Sequence, residues 1–296
     1  MLEHHLSADS RPERVVVLGA SGFVGRAILR RATEGGSEAV GLSSADLSLL
    51  APDAADRLAA LLRPQDSVVF VSALTPDRGR DAGTMLANLR MAEAVGAAVG
   101  KVVPAHLVYI SSDAVYRDDA NPVTERSCCE PSSFHGMMHL ARELILRTGV
   151  KAPLALLRPS LLYGIDDTHN GYGPNRFRRQ AAKGEPITLF GGGEERRDHV
   201  HVDDVAELTW RVLARRSSGL LNIATGRSVS FREVAELVVS GFERPVDIVP
   251  TPRANPITHR HFDVTDAIKA FPDFHCMDIA SGIARVHGEM VGRGHG

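Results

Sequence analysis

The chain has 296 residues, of which 44% are apolar and 24% charged, with a formal net charge of −2. That balance belongs to a globular protein long enough for one large core or two intimate ones; the near-neutral charge excludes a global field that draws the chain to nucleic acid or a membrane surface, and no run of about 18 apolar residues exists to span a bilayer. Three cysteines, Cys128, Cys129 and Cys276, form neither a disulfide framework nor a Cys-x-x-Cys zinc site, and residues 1–14 lack the apolar centre of a secretory leader, so the cytoplasm is the expected compartment.

Taken in chain order, Val15-Val16-Val17-Leu18 is a short apolar run stopped by glycine, which predicts a buried parallel strand. Helical spacing follows over 23–32. Strands are predicted at 39–42, 67–72 and 106–110, with helices at 54–62 and 82–99 between them. A helix over 133–147 and a strand at 154–157, closed by Arg158-Pro159, complete this half. Strict alternation of strand and helix with short loops predicts an α/β fold, a Rossmann-type doubly wound parallel sheet, over residues 13–160. After residue 160 a Gly/Asp/Asn-rich loop gives way to a basic helix at 176–183, strands at 187–190 and 220–223, and helices at 203–215 and 231–240. Residues 161–296 are predicted to form a smaller α/β substrate-binding lobe, some of whose strands join the main sheet. Loose tails are expected at 1–12 and 292–296.

The turn Gly19-Ala20-Ser21-Gly22-Phe23-Val24-Gly25 lies between the first strand and the first helix. Its glycines permit a tight turn and close approach of a pyrophosphate, whose charge then sits at a helix N-terminus. Gly19, Ser21, Gly22, Phe23, Val24 and Gly25 are therefore the first candidate dinucleotide ligands, with Ala73 and Pro159 flanking them at later strand ends. The second strand runs into Ser43-Ser44 rather than an acid or a base, so NAD and NADP both remain open; Asp46 and Leu47 are placed for the adenine.

With these motifs the chain resembles the extended short-chain dehydrogenase/reductase family, and within it the nucleotide-sugar epimerase/dehydratase group. The resemblance runs from Val15 to about Phe271. It rests on the glycine turn, on Ser111-Ser112-Asp113-Ala114-Val115-Tyr116, on Leu157-Arg158-Pro159 with Tyr163-Gly164, on Arg197-Asp198-His199-Val200-His201-Val202-Asp203-Asp204, and on Asn222-Ile223-Ala224-Thr225-Gly226. It implies a nucleotide-sugar substrate whose diphosphate is held by Arg197 and Arg253, with Tyr163 also at the substrate, and Ser112 in the catalytic Ser/Thr place. It further implies a homodimer paired through the 133–147 helix. Ala114 stands where the 4,6-dehydratases carry an acid, which argues against dehydration.

The departure lies in that helix. The family places a Tyr and a Lys four residues apart; this chain has His135 and His139. The i, i+4 spacing keeps both on one helix face. An imidazole titrates near ~6.5 and a phenol near ~10, so His135 needs no lysine to act as a proton carrier at neutral pH. His139 can donate to the nicotinamide ribose but brings less charge than lysine, which favours net reduction or a weakened epimerase. Two other readings stay open: chemistry by Ser112 with Tyr163 or water, and a catalytically impaired nucleotide-sugar-binding protein with a regulatory or assembly role. His-x-x-x-His is also a metal-ligand spacing, but no third ligand is evident and no metal is expected.

Overall fold

The computed structural model describes residues 2–294. The first half alternates as the sequence pattern predicts: β2 (Arg14–Leu18), α1 (Phe23–Glu34), β3 (Glu38–Leu42), α2 (Ala54–Leu61), β4 (Asp66–Phe70), α3 (Ala82–Lys101), β5 (His106–Ile110), α4 (Phe134–Gly149) and β6 (Leu154–Pro159). A short antiparallel strand, β1 (Leu2–Glu3), precedes them, and β11 (Ser218–Ile223) arrives from the second half. Together they make one sheet in the order β1-β11-β6-β5-β4-β2-β3, parallel throughout except for β1.

Successive strand residues point to opposite faces, and this chain fills both. Val15, Val17, Val69, Val108 and Leu157 pack with Ile28 of α1 and with Val205, Leu208 and Val212 of α6 (Val202–Ala214). Val16, Leu18, Val68, Phe70, Leu107 and Tyr109 pack with Leu58, Met91, Val95 and Leu146 on the other side. Burying each such side chain stabilises the fold by about 1.5–3 kcal/mol relative to leaving it exposed.

The second half adds β7 (Leu161–Tyr163), α5 (Pro174–Lys183), β8 (Ile187–Phe190), β9 (Arg196–Arg197), β10 (His199–His201), β12 (Val229–Ser230), α7 (Phe231–Val239), β13 (Ile248–Thr251), α8 (Thr265–Ala270) and α9 (Ile279–Gly292). Here the strands pair two by two: β7 with β10, β9 with β12 and β8 with β13. Phe177, Ile187, Leu189, Phe231, Val234 and Ile283 form a core of their own.

The expected loose N-terminus is tied down. Leu2 and Glu3 pair with Gly219 and Ser218, Leu2 is buried, and His4 Nδ1 lies 2.7 Å from Ser217 Oγ. Two residues of strand carry almost no periodicity, and their effect is to cover an open sheet edge. At the other end α9 reaches Gly292; His295 and Gly296 of the expected tail lie outside the described residues. No helix among the described residues is long and apolar enough to cross a membrane.

Candidate active site

The glycine turn is built for a ligand at the end of β2. Gly19 has φ +97°, and a Cβ there would sit 2.7 Å from the backbone nitrogen of Ser72. A Cβ at Gly25 would lie 2.1 Å from the Gly19 carbonyl oxygen. α1 starts at Gly22 with no side-chain cap and no acid in its first turn, which leaves its N–H groups and dipole to an anion. These residues fit a pyrophosphate. Ser21 and Gly22 are exposed at the turn, Phe23 is buried beneath it, and Val24 is half-buried. At the end of β3, Ser43 donates to the Asp46 carboxylate from its backbone nitrogen (2.9 Å) and hydroxyl (2.6 Å), holding that carboxyl below its ordinary range. Leu47 turns into the core, Ala73 lies beyond the end of β4, and Pro159 is the last residue of β6.

α4 begins with Ser133, whose hydroxyl accepts from Gly136 N at 3.2 Å. Ser112 caps the short turn 113–115 in the same way, accepting from Ala114 N at 3.1 Å. The two turns press together: a Cβ at Gly136 would sit 2.0 Å from the Ala114 carbonyl oxygen. Only glycine allows this approach, which brings the end of β5 against the first turn of α4.

His135 is half-buried and lines a cleft of about 290 Å³ with Leu74, Asp81, Thr84, Met85 and Met138. Its pKa lies below the ordinary histidine value because of burial, with smaller contributions from His169 and Arg142. His139 is 5% exposed and meets the His135 ring edge-on at 4.7 Å between centroids. Its Nδ1 lies 2.6 Å from the Tyr109 hydroxyl. Burial, then the charges of His135 and Arg142, depress its pKa strongly. Both imidazoles are therefore neutral at physiological pH.

The two predicted substrate arginines converge. Arg197 Nη2 is 2.5 Å from Glu195 Oε1, and Arg253 Nη1 is 3.5 Å from Glu195 Oε2. Arg253 also reaches Glu194 at 3.2 Å. One carboxylate thus sits between two guanidiniums. Tyr163 does not join this group: its ring is 1% exposed, packs edge-on against His201, and its hydroxyl is wedged toward Gly282 of α9 without a hydrogen-bond partner among the described residues.

Residues 15–224 match the model of the NAD dependent epimerase/dehydratase family. The chain belongs to that family. Solved structures with the same fold include UDP-N-acetylglucosamine 4-epimerase from Bacillus cereus, at 22% identity and TM-score 0.77 over 94% of this chain and 99% of that one. UDP-glucose 4-epimerase from Thermotoga maritima aligns at 19% identity and TM-score 0.80, covering 95% and 99%. A structure described as MoeE5 in complex with UDP-glucose and NAD aligns at 25% identity and TM-score 0.77, covering 96% and 100%.

In this epimerase/dehydratase-family chain, three features beneath the site escape sequence reading. Glu143 accepts from Arg158 at 2.8 Å (Nε to Oε1) and 2.5 Å (Nη2 to Oε2), and from Ser111 Oγ at 2.6 Å. Arg158 also lies over the Tyr116 ring, whose hydroxyl donates to Asn222 at 2.7 Å. This buried chain ties α4 to β5, β6 and β11, and removing one partner from such a pair costs about 3–5 kcal/mol. Arg260 donates to the Asp113 carboxylate at 3.2 Å, so that acid, beside Ser112, is already paired. Arg142 is fully buried in α4. The only sequence signal for Glu143 is its i+8 spacing from His135 on the same face; Arg260 and Arg142 have none. Among the described residues, no group of three His, Cys, Asp or Glu side chains gathers where it could hold a metal ion.

Proposed function

We propose that this chain is a cytoplasmic NAD-dependent enzyme that epimerises or reduces a nucleotide-activated sugar, with His135 carrying the proton that a tyrosine carries in its relatives. The observation that supports it most is the placement of His135: neutral, half-buried, on the cleft face of α4, and pressed by the Gly136 contact toward the strand end that presents Ser112. Bound NAD would supply the hydride acceptor for oxidation of the sugar carbinol, and its reduced form the hydride donor for the reverse. Ser112 orients the carbinol oxygen, and His135 takes its O–H proton in oxidation and gives it back in reduction. Neutral imidazole is the base that oxidation requires, so no lysine ammonium is needed beside it. His139 would help hold the nicotinamide ribose through its outward nitrogen.

UDP-sugars are the substrates to try first, since two of the similar structures are UDP-sugar 4-epimerases and a third holds UDP-glucose with NAD. Convergence of Arg197 and Arg253 supports a diphosphate between them, with Glu195 withdrawn. The domain division follows the chemistry, residues 13–160 holding the dinucleotide and 161–296 mainly the sugar nucleotide. A homodimer paired through α4 completes the reading.

One observation favours a second reading, a nucleotide-sugar-binding protein with little turnover: His139 is occupied by Tyr109, and both arginines by acids. The experiment that separates the two starts from purified protein and identifies any nucleotide bound to it. NAD with UDP-glucose or UDP-N-acetylglucosamine is then followed by NMR for the 4-epimer, and NADH or NADPH with a 4-keto nucleotide sugar by absorbance. An epimerised or reduced product that disappears in His135→Ala supports the enzyme. Tight binding of UDP-sugar without product in any arm supports the binding protein.

A further inference from the structure

Arg142 is an unusual group to find in this place. It is fully buried, and among the described residues no carboxylate pairs with it; its neighbour Glu143 faces Arg158 instead. Its Nη2 donates to the Ser72 carbonyl at 2.7 Å, Nη1 reaches Met138 Sδ at 3.7 Å, and Nε has no hydrogen-bond partner among the described residues. The guanidinium lies over two rings, Phe70 at 4.2 Å and Tyr109 at 5.1 Å from their centroids. A buried cation without a counter-charge costs several kcal/mol unless rings and carbonyls compensate, and here it abuts the two histidines.

We propose that Arg142 and Tyr109 are positioning residues that lock His139 as the neutral imidazole with its proton on Nε2, so that α4 presents a fixed N–H donor. The inference rests on the reading of His135 and His139 as the active pair, but its test does not depend on turnover. The argument is one of donors and acceptors. A guanidinium only donates. Arg142, lying over the Tyr109 ring, can take no proton from the phenol, whereas His139 Nδ1, 2.6 Å from the hydroxyl, can accept it. Burial holds the phenol pKa up at about 12, with Arg142 opposing and Glu143 adding to the rise, so the proton stays on the oxygen. A neutral imidazole that accepts at Nδ1 carries its hydrogen on Nε2. Among the described residues nothing bonds that nitrogen, and it is not one of the sealed unpaired atoms.

The charges that bear on His139 come from every side and point the same way. His135 and Arg142 on α4 disfavour a second proton. From β5, Tyr109 offers a donor where an imidazolium needs an acceptor. Phe70 and the Ser72 carbonyl, from β4 and the loop after it, hold Arg142 in place. The acid that lines the cleft, Asp81, accepts from Thr84 N at 2.7 Å and Thr84 Oγ1 at 3.0 Å. A lysine at 139 would supply a donor with a full charge; this arrangement supplies one with direction and no charge, the positive charge being displaced to Arg142.

The test is long-range proton–nitrogen NMR on the full chain labelled with ¹⁵N-histidine. His139 is expected as the Nε2–H tautomer from about pH 6 to 8. Tyr109→Phe, which removes one oxygen from the core, is expected to give a mixture of tautomers or the Nδ1–H form, and to weaken NAD binding about five- to ten-fold. Arg142→Met is expected to raise the pH at which His139 protonates, and Arg142→Lys to restore it; if Arg142→Met does not fold, Tyr109→Phe still decides. An Nδ1–H tautomer in the parent protein, or a His139 spectrum unchanged by Tyr109→Phe, overturns the proposal. His135→Ala is expected to leave the tautomer as it was, so failure of the catalytic reading appears in turnover and failure of this one in the spectra.

Discussion

The Tyr109 hydroxyl lies 2.6 Å from His139 Nδ1, and Arg142 stacks over the same phenol ring. Three buried groups thus share a space in which only one is charged. Restoring the lysine of the family at this point would set an ammonium beside a guanidinium where little water screens either. His139→Lys is expected to destabilise the fold by about 2–4 kcal/mol in urea titrations. Adding Arg142→Ala to it is expected to recover part of that loss, and a double-mutant cycle measures the coupling. Strict additivity of the two substitutions would contradict the picture of two competing cations.

With His135 as the proposed proton carrier, the pH dependence of turnover follows its titration. Its pKa is lowered by burial first, then by His169 and Arg142, so the neutral form that accepts a proton persists below the ordinary value of ~6.5. In the oxidative direction kcat/KM is expected to be level at neutral pH and to fall only as pH drops through the lowered pKa. Reduction, which needs the imidazolium, is expected to gain toward acid pH. His135→Ala is expected to lose about 10²–10⁴-fold in kcat, with nucleotide affinity retained. An activity limb that rises near pH 10, as for a phenol, would assign the proton to another group.

Glu195 holds both Arg197 and Arg253. A diphosphate entering between the arginines must displace that carboxylate, so part of its attraction is spent on a bond already made. Glu195→Gln keeps the shape and removes the charge. By calorimetry it is expected to bind UDP about ten-fold more tightly, whereas Arg197→Ala and Arg253→Ala are each expected to lose about 10- to 100-fold, the worth of a charge-assisted hydrogen bond. Weaker binding in Glu195→Gln would mean the acid orients the arginines instead of competing for them.

The parallel sheet was legible because Val15–Leu18, Ser67–Phe70 and His106–Ile110 are uniformly apolar or nearly so, and a strand buried on both faces must be. The glycine turn was legible because Gly19 and Gly25 leave no room for a side chain. β1, β9 and β12 span two residues each, too few for a period, and they form because an edge or a neighbouring strand is waiting. Leu47 and Tyr163 matched expected site positions in spacing, and both side chains are buried; a motif fixes the backbone path more firmly than the exposure of a side chain. Arg142 was illegible for the opposite reason. On a helix with Arg147 nearby it reads as a solvated charge, and only the position of α4 over Phe70 and Tyr109 buries it.

The outer face of α4 carries the side chains through which the proposed homodimer would pair. Phe134, Met137 and Leu144 are 43%, 47% and 62% exposed, and their spacing puts them on one stripe. Leu86, on the adjacent α3, is 50% exposed. Nearer the C-terminal end of α3, Gly96 and Gly100 have nothing within 4 Å of where a Cβ would be, which leaves room for another helix to approach closely. Two copies joined by a two-fold axis would cover these residues with each other, since such an interface uses the same patch twice. Leu144→Asp and Met137→Asp are expected to shift the protein from dimer to monomer in light scattering, with the melting temperature of the monomer lowered by the loss of its partner. Because the same helix carries His135 and His139 on its inner face, the monomer is also expected to lose activity. A parent protein that runs as a monomer at micromolar concentration would remove this role from the stripe.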